Sequence, residues 1–295
     1  MSTPNTLNAA LLQISHGDDI DAKLSAAAKQ GAHLIVLPEL HDHPYFCQTK
    51  DPQHFALAES IPGPCTSHYS QLARQHSVVL IISIFEKTNT RHFHNTAVVF
   101  DTDGQLAGRY RKMHIPEGPN YYEQYYFSPG DLGFEPIQTS IGKIGVLICW
   151  DQWFPEAARL MTLAGADILV YPTAIGWDPV DDEDEKQRQL DAWIIVQRAH
   201  AVANSLPVIV CNRTGFEKDP GGNTSGIDFW GNSFICGPQG ELLGSLNATQ
   251  SSILSARIDL NRTDEVRHVW PYLLDRRIDG YHDLIQQKLT NRIKK

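Results

Sequence analysis

The chain has 295 residues, 42% hydrophobic and 20% charged, which is ample apolar mass for one large core. Its formal net charge of −9 argues against nucleic acid and anionic membranes as partners and is compatible with a cationic substrate. Five widely spaced cysteines without a CxxC pair argue against a disulfide framework or a structural zinc site, and so for a reducing, cytoplasmic location. No basic region followed by an apolar run opens the chain, and no apolar stretch of about 18 residues occurs in it, so neither a leader nor a membrane span is expected.

A helix is expected over residues 19–30, ended by Gly31, followed by an apolar strand over 33–37. The unit recurs: helix 66–76 then strand 78–85, helix 155–163 then strand 167–171, and helix 191–204 then strand 207–211. Lys29-Gln-Gly-Ala-His-Leu-Ile-Val-Leu-Pro38 parallels Leu163-Ala-Gly-Ala-Asp-Ile-Leu-Val-Tyr-Pro172, which suggests two pseudo-symmetric half-sheets. Hairpins are expected over 95–110, around Thr102-Asp-Gly104, and over 231–246, around Gly237-Pro-Gln-Gly240. Continuous Val/Ile/Leu strands need cover on both faces. The pattern therefore predicts an α/β sandwich of two mixed sheets with helices outside and strand ends converging on one crevice. The acidic run at 177–189 reads as a solvated loop or helix start. No linker interrupts the chain, so a single domain is expected, with a core over about 5–260 and a polar, helical C-terminal arm over about 261–295 that packs on a neighbouring subunit or the surface.

Three strand ends carry chemistry. Leu34-Ile-Val-Leu-Pro-Glu39 ends in a carboxylate whose partial desolvation makes it a better base at neutral pH. Arg109-Tyr-Arg-Lys-Met-His-Ile-Pro116 carries Lys112, an ammonium able to stabilise an oxyanion. Ile144-Gly-Val-Leu-Ile-Cys149 ends in a thiol just before the helix at Pro155, where positive potential is expected to favour thiolate. Each has a bland alternative: a capping Glu39, a surface Lys112, a small buried Cys149. A Cys–His protease is a rival, given thirteen histidines, but no protease signature surrounds Cys149.

Taken jointly, Leu37-Pro-Glu39-Leu40, Tyr110-Arg-Lys112-Met-His-Ile-Pro116 and Leu147-Ile-Cys149-Trp-Asp-Gln-Trp-Phe-Pro-Glu156 resemble the nitrilase superfamily of carbon-nitrogen hydrolases over about residues 5–280. The resemblance implies a four-layer αββα sandwich, assembled as a homo-oligomer, a dimer or larger. It implies that Glu39 is the general base, Lys112 stabilises the tetrahedral intermediate and Cys149 attacks. A second glutamate orients the lysine, and Glu123 fits that role better than Glu117. No cofactor and no metal are implied.

His43-Pro-Tyr-Phe-Cys-Gln48, Thr173-Ala-Ile-Gly176 and Trp270-Pro-Tyr-Leu-Leu-Asp-Arg-Arg277 are similar to members acting on a small cationic carbamoyl-amine substrate. That implies release of a diamine, CO2 and ammonia. Asp178 is then the candidate partner for the far ammonium, with a solvated loop acid as its alternative. Tyr45 and Trp150 would wall the carbon chain, and Tyr121 and Ala174 would line the pocket, with His114 a weaker candidate. Two departures are Trp177-Asp178 and His41-Asp42. His41, Asp42 and His43 cluster in a way metal ligands can, but a metal is not expected there. Cys47, Cys65, Cys211 and Cys236 read as structural. A sibling acting on an N-carbamoyl amino acid would need an arginine in its pocket, and a non-catalytic binding member would not need Glu39, Lys112 and Cys149 together.

Overall fold

A computed structural model describes residues 5–90, 92–219 and 221–286. The leader reading at residues 1–4 and the basic end of the arm at 287–295 lie outside the described residues. In chain order the elements are β1 (Thr6–Gln13), α1 (Ile20–Lys29), β2 (Leu34–Val36), α2 (Pro64–His76), β3 (Val79–Lys87), β4 (Phe93–Phe100), β5 (Leu106–Arg111) and the single turn α3 (Glu123–Tyr126). They continue with β6 (Ile137–Thr139), β7 (Gly142–Val146), α4 (Pro155–Leu163), β8 (Ile168–Thr173), β9 (Gly176–Trp177), α5 (Glu183–Asn204) and β10 (Val208–Asn212). The last are β11 (Thr214–Glu217), β12 (Ile227–Trp230), β13 (Phe234–Cys236), β14 (Leu242–Ser245), β15 (Ser252–Asp259) and α6 (Asn261–Val269).

Two six-stranded sheets form, ordered β15-β1-β2-β3-β4-β5 and β14-β13-β10-β8-β7-β6, with a three-stranded annex β11-β12-β9. Read from opposite edges, the two large sheets share one plan. Each has three adjacent parallel strands, β1-β2-β3 or β7-β8-β10, flanked by antiparallel neighbours. The repeated helix–Gly–strand segment thus forms β2 and β8, the matching strands of the two halves.

Strand alternation explains the layers. Leu7, Ala9 and Leu11 of β1, Val79 and Ile81 of β3, and Ala97 and Val99 of β4 pack with Ile144, Val146, Val170 and Val208 of the other sheet. The intervening residues Ala10, Leu12, Leu80, Ile82 and Val98 turn the other way, against Leu24 and Ala27 of α1 and Tyr69 and Ala73 of α2. On the far side, Ala157, Met161, Trp193 and Ala201 bring α4 and α5 onto the second sheet. Each fully buried aliphatic side chain contributes about 1.5–3 kcal/mol.

The helices begin where the sequence supplies caps. The Asp19 side chain accepts from Ala22 N at 3.0 Å to open α1, and Pro64 takes the first position of α2, where no amide is needed. α5 starts eight residues earlier than expected. Asp182 caps it by accepting from Glu185 N at 2.8 Å, and Glu183, Asp184 and Glu185 in the first turn complement the helix dipole. The acidic run is therefore the start of this helix from Asp182 onward, while Asp178 and Asp181 lie in the segment before it. Among the described residues of the arm, Asn261–Val269 alone is α-helical, with Thr263 and Val266 buried, and two short 3-10 turns follow at Ile278–Gly280 and His282–Ile285.

Candidate active site

Glu39 sits three residues beyond β2, where the two sheets touch. Its backbone N–H donates to Thr173 O of β8 at 3.3 Å, and Leu40 N donates to Ser83 Oγ of β3 at 3.2 Å. The side chain is fully buried (0%). Oε1 accepts from Asn95 Nδ2 of β4 at 2.6 Å and from Lys112 Nζ at 2.7 Å. Oε2 is buried and has no hydrogen-bond partner among the described residues.

Lys112 extends the β4–β5 ladder by one residue, its N–H donating to Asn95 O at 2.9 Å. Gly130 N donates to the Lys112 carbonyl at 2.8 Å, an approach only glycine allows, because an added Cβ would collide with the Arg111 carbonyl. The ammonium also donates to Glu123 Oε2 at 2.6 Å, and Glu123 Oε1 accepts from Tyr45 Oη at 2.6 Å. The interior thus holds one ammonium between two carboxylates. Two of its three N–H groups are committed, and one remains. Burial opposes the charge on Lys112, but Glu123 and Glu39 outweigh it and lift its pKa well above the usual lysine value. Burial raises Glu123 to about 7, with Lys112 pulling downward and Glu39 pushing upward.

Cys149 is placed differently from the expectation. β7 stops at Val146, and Cys149 opens a 3-10 turn, Cys149–Trp153, that runs into α4. Its φ is +42°, a left-handed conformation uncommon outside glycine. Asp151 holds the bend. It donates its N–H to Ile148 O at 3.0 Å, and its Oδ2 accepts from Ile148 N at 3.0 Å and Tyr110 Oη at 2.9 Å. Its Oδ1 accepts from His114 N at 3.0 Å and faces His114 Nδ1 at 2.7 Å. One carboxylate thereby ties the cysteine turn to the segment that carries Lys112. His114 stacks on Phe154, rings 3.6 Å apart and 5° from parallel, so it braces the turn.

The expected thiolate is corrected. Burial, then the charge of Glu39, raises the Cys149 pKa well above an ordinary thiol's, and Lys112 opposes them without prevailing. The 3-10 turn Cys149–Trp153 separates the thiol from the first residue of α4, and a helix end acts chiefly within its own first turn. Cys149 is 3% exposed, and Sγ lies 3.8 Å from the Ala174 carbonyl. Trp150, 37% exposed, reaches solvent beside it.

Of the expected pocket residues, Ala174 thus touches the thiol and Trp150 flanks it. Tyr121 packs against Tyr45, and its hydroxyl joins Gly176 of β9 through both the carbonyl and the N–H. Tyr45 is corrected from a wall of the substrate channel: it is fully buried behind Glu123 and holds that carboxylate. Asp178 follows β9, where its Oδ1 accepts from Ser225 Oγ at 2.7 Å and Val180 N at 3.1 Å, and it makes no hydrogen bond to the buried network. Glu117 is on the surface, paired with Lys50 at 2.7 Å. His43 does not join His41 and Asp42 as a third metal-type donor. Cys65 does.

The sequence reading missed Asn95, Asp151 and Arg213. Arg213 is buried, pairs with Glu217 at 2.8 Å, and donates to the carbonyls of Glu39, Leu40 and His43. It is committed to main-chain oxygens and a glutamate, so it clamps the loop after Glu39. Asp151 had a visible signal, an acid two residues after the cysteine. Asn95 and Arg213 had none, because their partners are 56 and 174 positions away.

Residues 9–268 match the carbon-nitrogen hydrolase family model. The chain is 42% identical to an N-carbamoylputrescine amidase of Solanum lycopersicum, over 97% of each chain. It is 39% identical to a citrullinase of Francisella tularensis subsp. tularensis, covering 95% of this chain and 99% of that one. The crystal structure of a carbon-nitrogen hydrolase from Helicobacter pylori G27 superposes with a TM-score of 0.93 at 49% identity, over 96% of this chain and 100% of that one. With this fold and these matches, the chain belongs to the carbon-nitrogen hydrolase family, the nitrilase superfamily, and hydrolyses carbon–nitrogen bonds.

Proposed function

We propose that the protein hydrolyses N-carbamoylputrescine to putrescine, CO2 and ammonia through a covalent intermediate on Cys149. The carrying observation is the buried run Tyr45–Glu123–Lys112–Glu39, with one Glu39 oxygen unpartnered, beside a thiol whose pKa responds to all three charged groups. The thiol is neutral at rest, so attack on the carbamoyl carbon requires its proton to move to Glu39 as the C–S bond forms. The third Lys112 N–H and the Trp150 N–H, which precedes the turn's first hydrogen bond at Asp151, receive the oxyanion. Glu39 returns the proton to the leaving nitrogen. It then takes a proton from water as that water attacks the thioester-like intermediate, and it passes that proton to the departing Cys149 sulfur, restoring the thiol. The carbamic acid released loses CO2 to free the remaining nitrogen. Glu123 keeps Lys112 oriented.

The far ammonium of the substrate needs a carboxylate at the outer end of the site, and Asp178 is the assigned partner. A neighbouring reading, a ureido amino acid as in the citrullinase relative, is favoured by that similarity alone. Its carboxylate would call for a free cation, whereas Arg213 is already committed. A panel of N-carbamoylputrescine, citrulline, N-carbamoyl-β-alanine and simple amides, read by ammonia and amine release, separates the two. The largest kcat/KM for N-carbamoylputrescine is expected, and a preference for citrulline would overturn the assignment.

We read the chain as one hydrolase domain with a C-terminal arm, acting in the cytoplasm as a homo-oligomer, with neither nucleic acid nor membrane as partner. Exposed Leu160, Leu163 and Ile195 on α4 and α5, with Trp270 and Leu274 in the arm, support a subunit interface there. No helix among the described residues is long and apolar enough to cross a membrane.

A further inference from the structure

Just past Glu39 the chain gathers three metal-type donors. A ring nitrogen of His41, a carboxylate oxygen of Asp42 and Sγ of Cys65 all lie within 4.8 Å of one another. Cys65 is the second residue of α2, so the three donors join the loop after Glu39 to the start of a helix. The side chain of His41 is fully buried (0%), yet neither ring nitrogen has a hydrogen-bond partner among the described residues. Its Nε2 stands 3.0 Å from Asp42 Oδ1, at ion-pair distance but not aligned as an N–H···O bond. A buried ring left without a hydrogen bond calls for an explanation. The Asp42 carboxylate meets both the His41 ring and the Cys65 thiol, and three donor atoms this close lie within reach of one small cation, since ligand bonds of about 2.0–2.3 Å bring such atoms together.

We propose that His41, Asp42 and Cys65 form a zinc-binding site, separate from the reaction, that fastens the Glu39 loop to α2. An imidazole, a carboxylate and a thiolate suit a borderline-soft ion such as Zn2+ better than Mg2+ or Ca2+. Cys65 releases its proton to solvent on binding, and the thiolate, the neutral ring nitrogen and the carboxylate each donate an electron pair. A water takes the fourth position. The Asp42 side chain is 26% exposed and Cys65 is partly exposed, which gives the ion a path in. Tyr69 Oη, 3.5 Å from Asp42 Oδ1, steadies the carboxylate from behind. Arg213 already grips the carbonyls of Glu39, Leu40 and His43, so an occupied site holds this loop by its side chains as the guanidinium holds its backbone.

The test uses full-length Cys149→Ala protein, so that the active-site thiol cannot bind the probe. Titration with Co2+ is expected to give a thiolate-to-metal charge-transfer absorption in the near ultraviolet that saturates at one ion per chain and is displaced by Zn2+. Adding Cys65→Ser abolishes the band, and adding His41→Gln weakens Co2+ binding at least about tenfold. Independently of any variant at the site, Zn2+ slows alkylation of Cys65 by iodoacetamide, read by peptide mass spectrometry. A band that survives Cys65→Ser, or no band together with unchanged Cys65 labelling, overturns the proposal.

Discussion

The two half-sheets share one strand plan and carry different groups at their ends. The first ends in charge: Glu39 after β2 and Lys112 after β5, with Asn95 on β4 beside them. The second ends in neutral groups: the Ala174 carbonyl after β8 and the Cys149 thiol after β7. Together with Glu123, the first half contributes two carboxylates and one ammonium. That surplus negative charge, added to burial, keeps the thiol protonated. On the proposed reading Cys149 is therefore not made reactive in advance: it stays a neutral thiol until a carbamoyl carbon is there to attack and Glu39 takes its proton.

Removing either half's contribution should be severe. Cys149→Ala is expected to lower kcat by about 10⁴-fold or more, and Glu39→Gln by about 10²–10⁴-fold, measured as ammonia release. Lys112→Met should cost about 10²–10³-fold in kcat. It also leaves Glu39 and Glu123 facing each other in the interior, so urea unfolding should show a loss of about 3–5 kcal/mol that Cys149→Ala does not show.

Tyr45→Phe alters the charged half alone. The hydroxyl's bond to a buried carboxylate contributes about 1.5–3 kcal/mol. Glu123 has its folded pKa raised to about 7, so its contribution to stability is present below the unfolded value and is lost as pH rises through about 7. The Tyr45 hydroxyl lowers that pKa. Its removal should shift the window of lost stability to higher pH, visible in Tm against pH. The smallest effect belongs to Asp178→Asn, which keeps an acceptor for Ser225 and removes the charge. KM for N-carbamoylputrescine should rise severalfold with kcat unchanged, and an unchanged KM would remove Asp178 from the site.

Much of the architecture was readable in the sequence because strands and helices leave local signatures. The segment after Lys29 and the segment after Leu163 announce equivalent strands, and turn residues such as Thr102-Asp-Gly104 mark hairpins. The start of α5 was also written locally, in Asp182 and the acids after it, but the charges fit a solvated loop as well as a helix start. The three strand-end residues were legible through their motifs. Their electrostatics were not. The thiol's proton affinity depends on a carboxylate 110 positions earlier in the chain and on burial by distant segments, neither of which is a local property. The left-handed turn at Cys149 and the roles of Asn95 and Arg213 were hidden for the same reason, since each arises from packing between distant segments.

Cys149 rests as a neutral thiol, held so by burial and by Glu39. Alkylation at Cys149, followed by peptide mass spectrometry across pH in the wild type and in Glu39→Gln, tests it directly. Slow labelling at neutral pH is expected, with a wild-type midpoint above that of an ordinary cysteine and a lower midpoint once the Glu39 charge is gone. A wild-type midpoint below neutral, or one that Glu39→Gln leaves unmoved or raises, would contradict it.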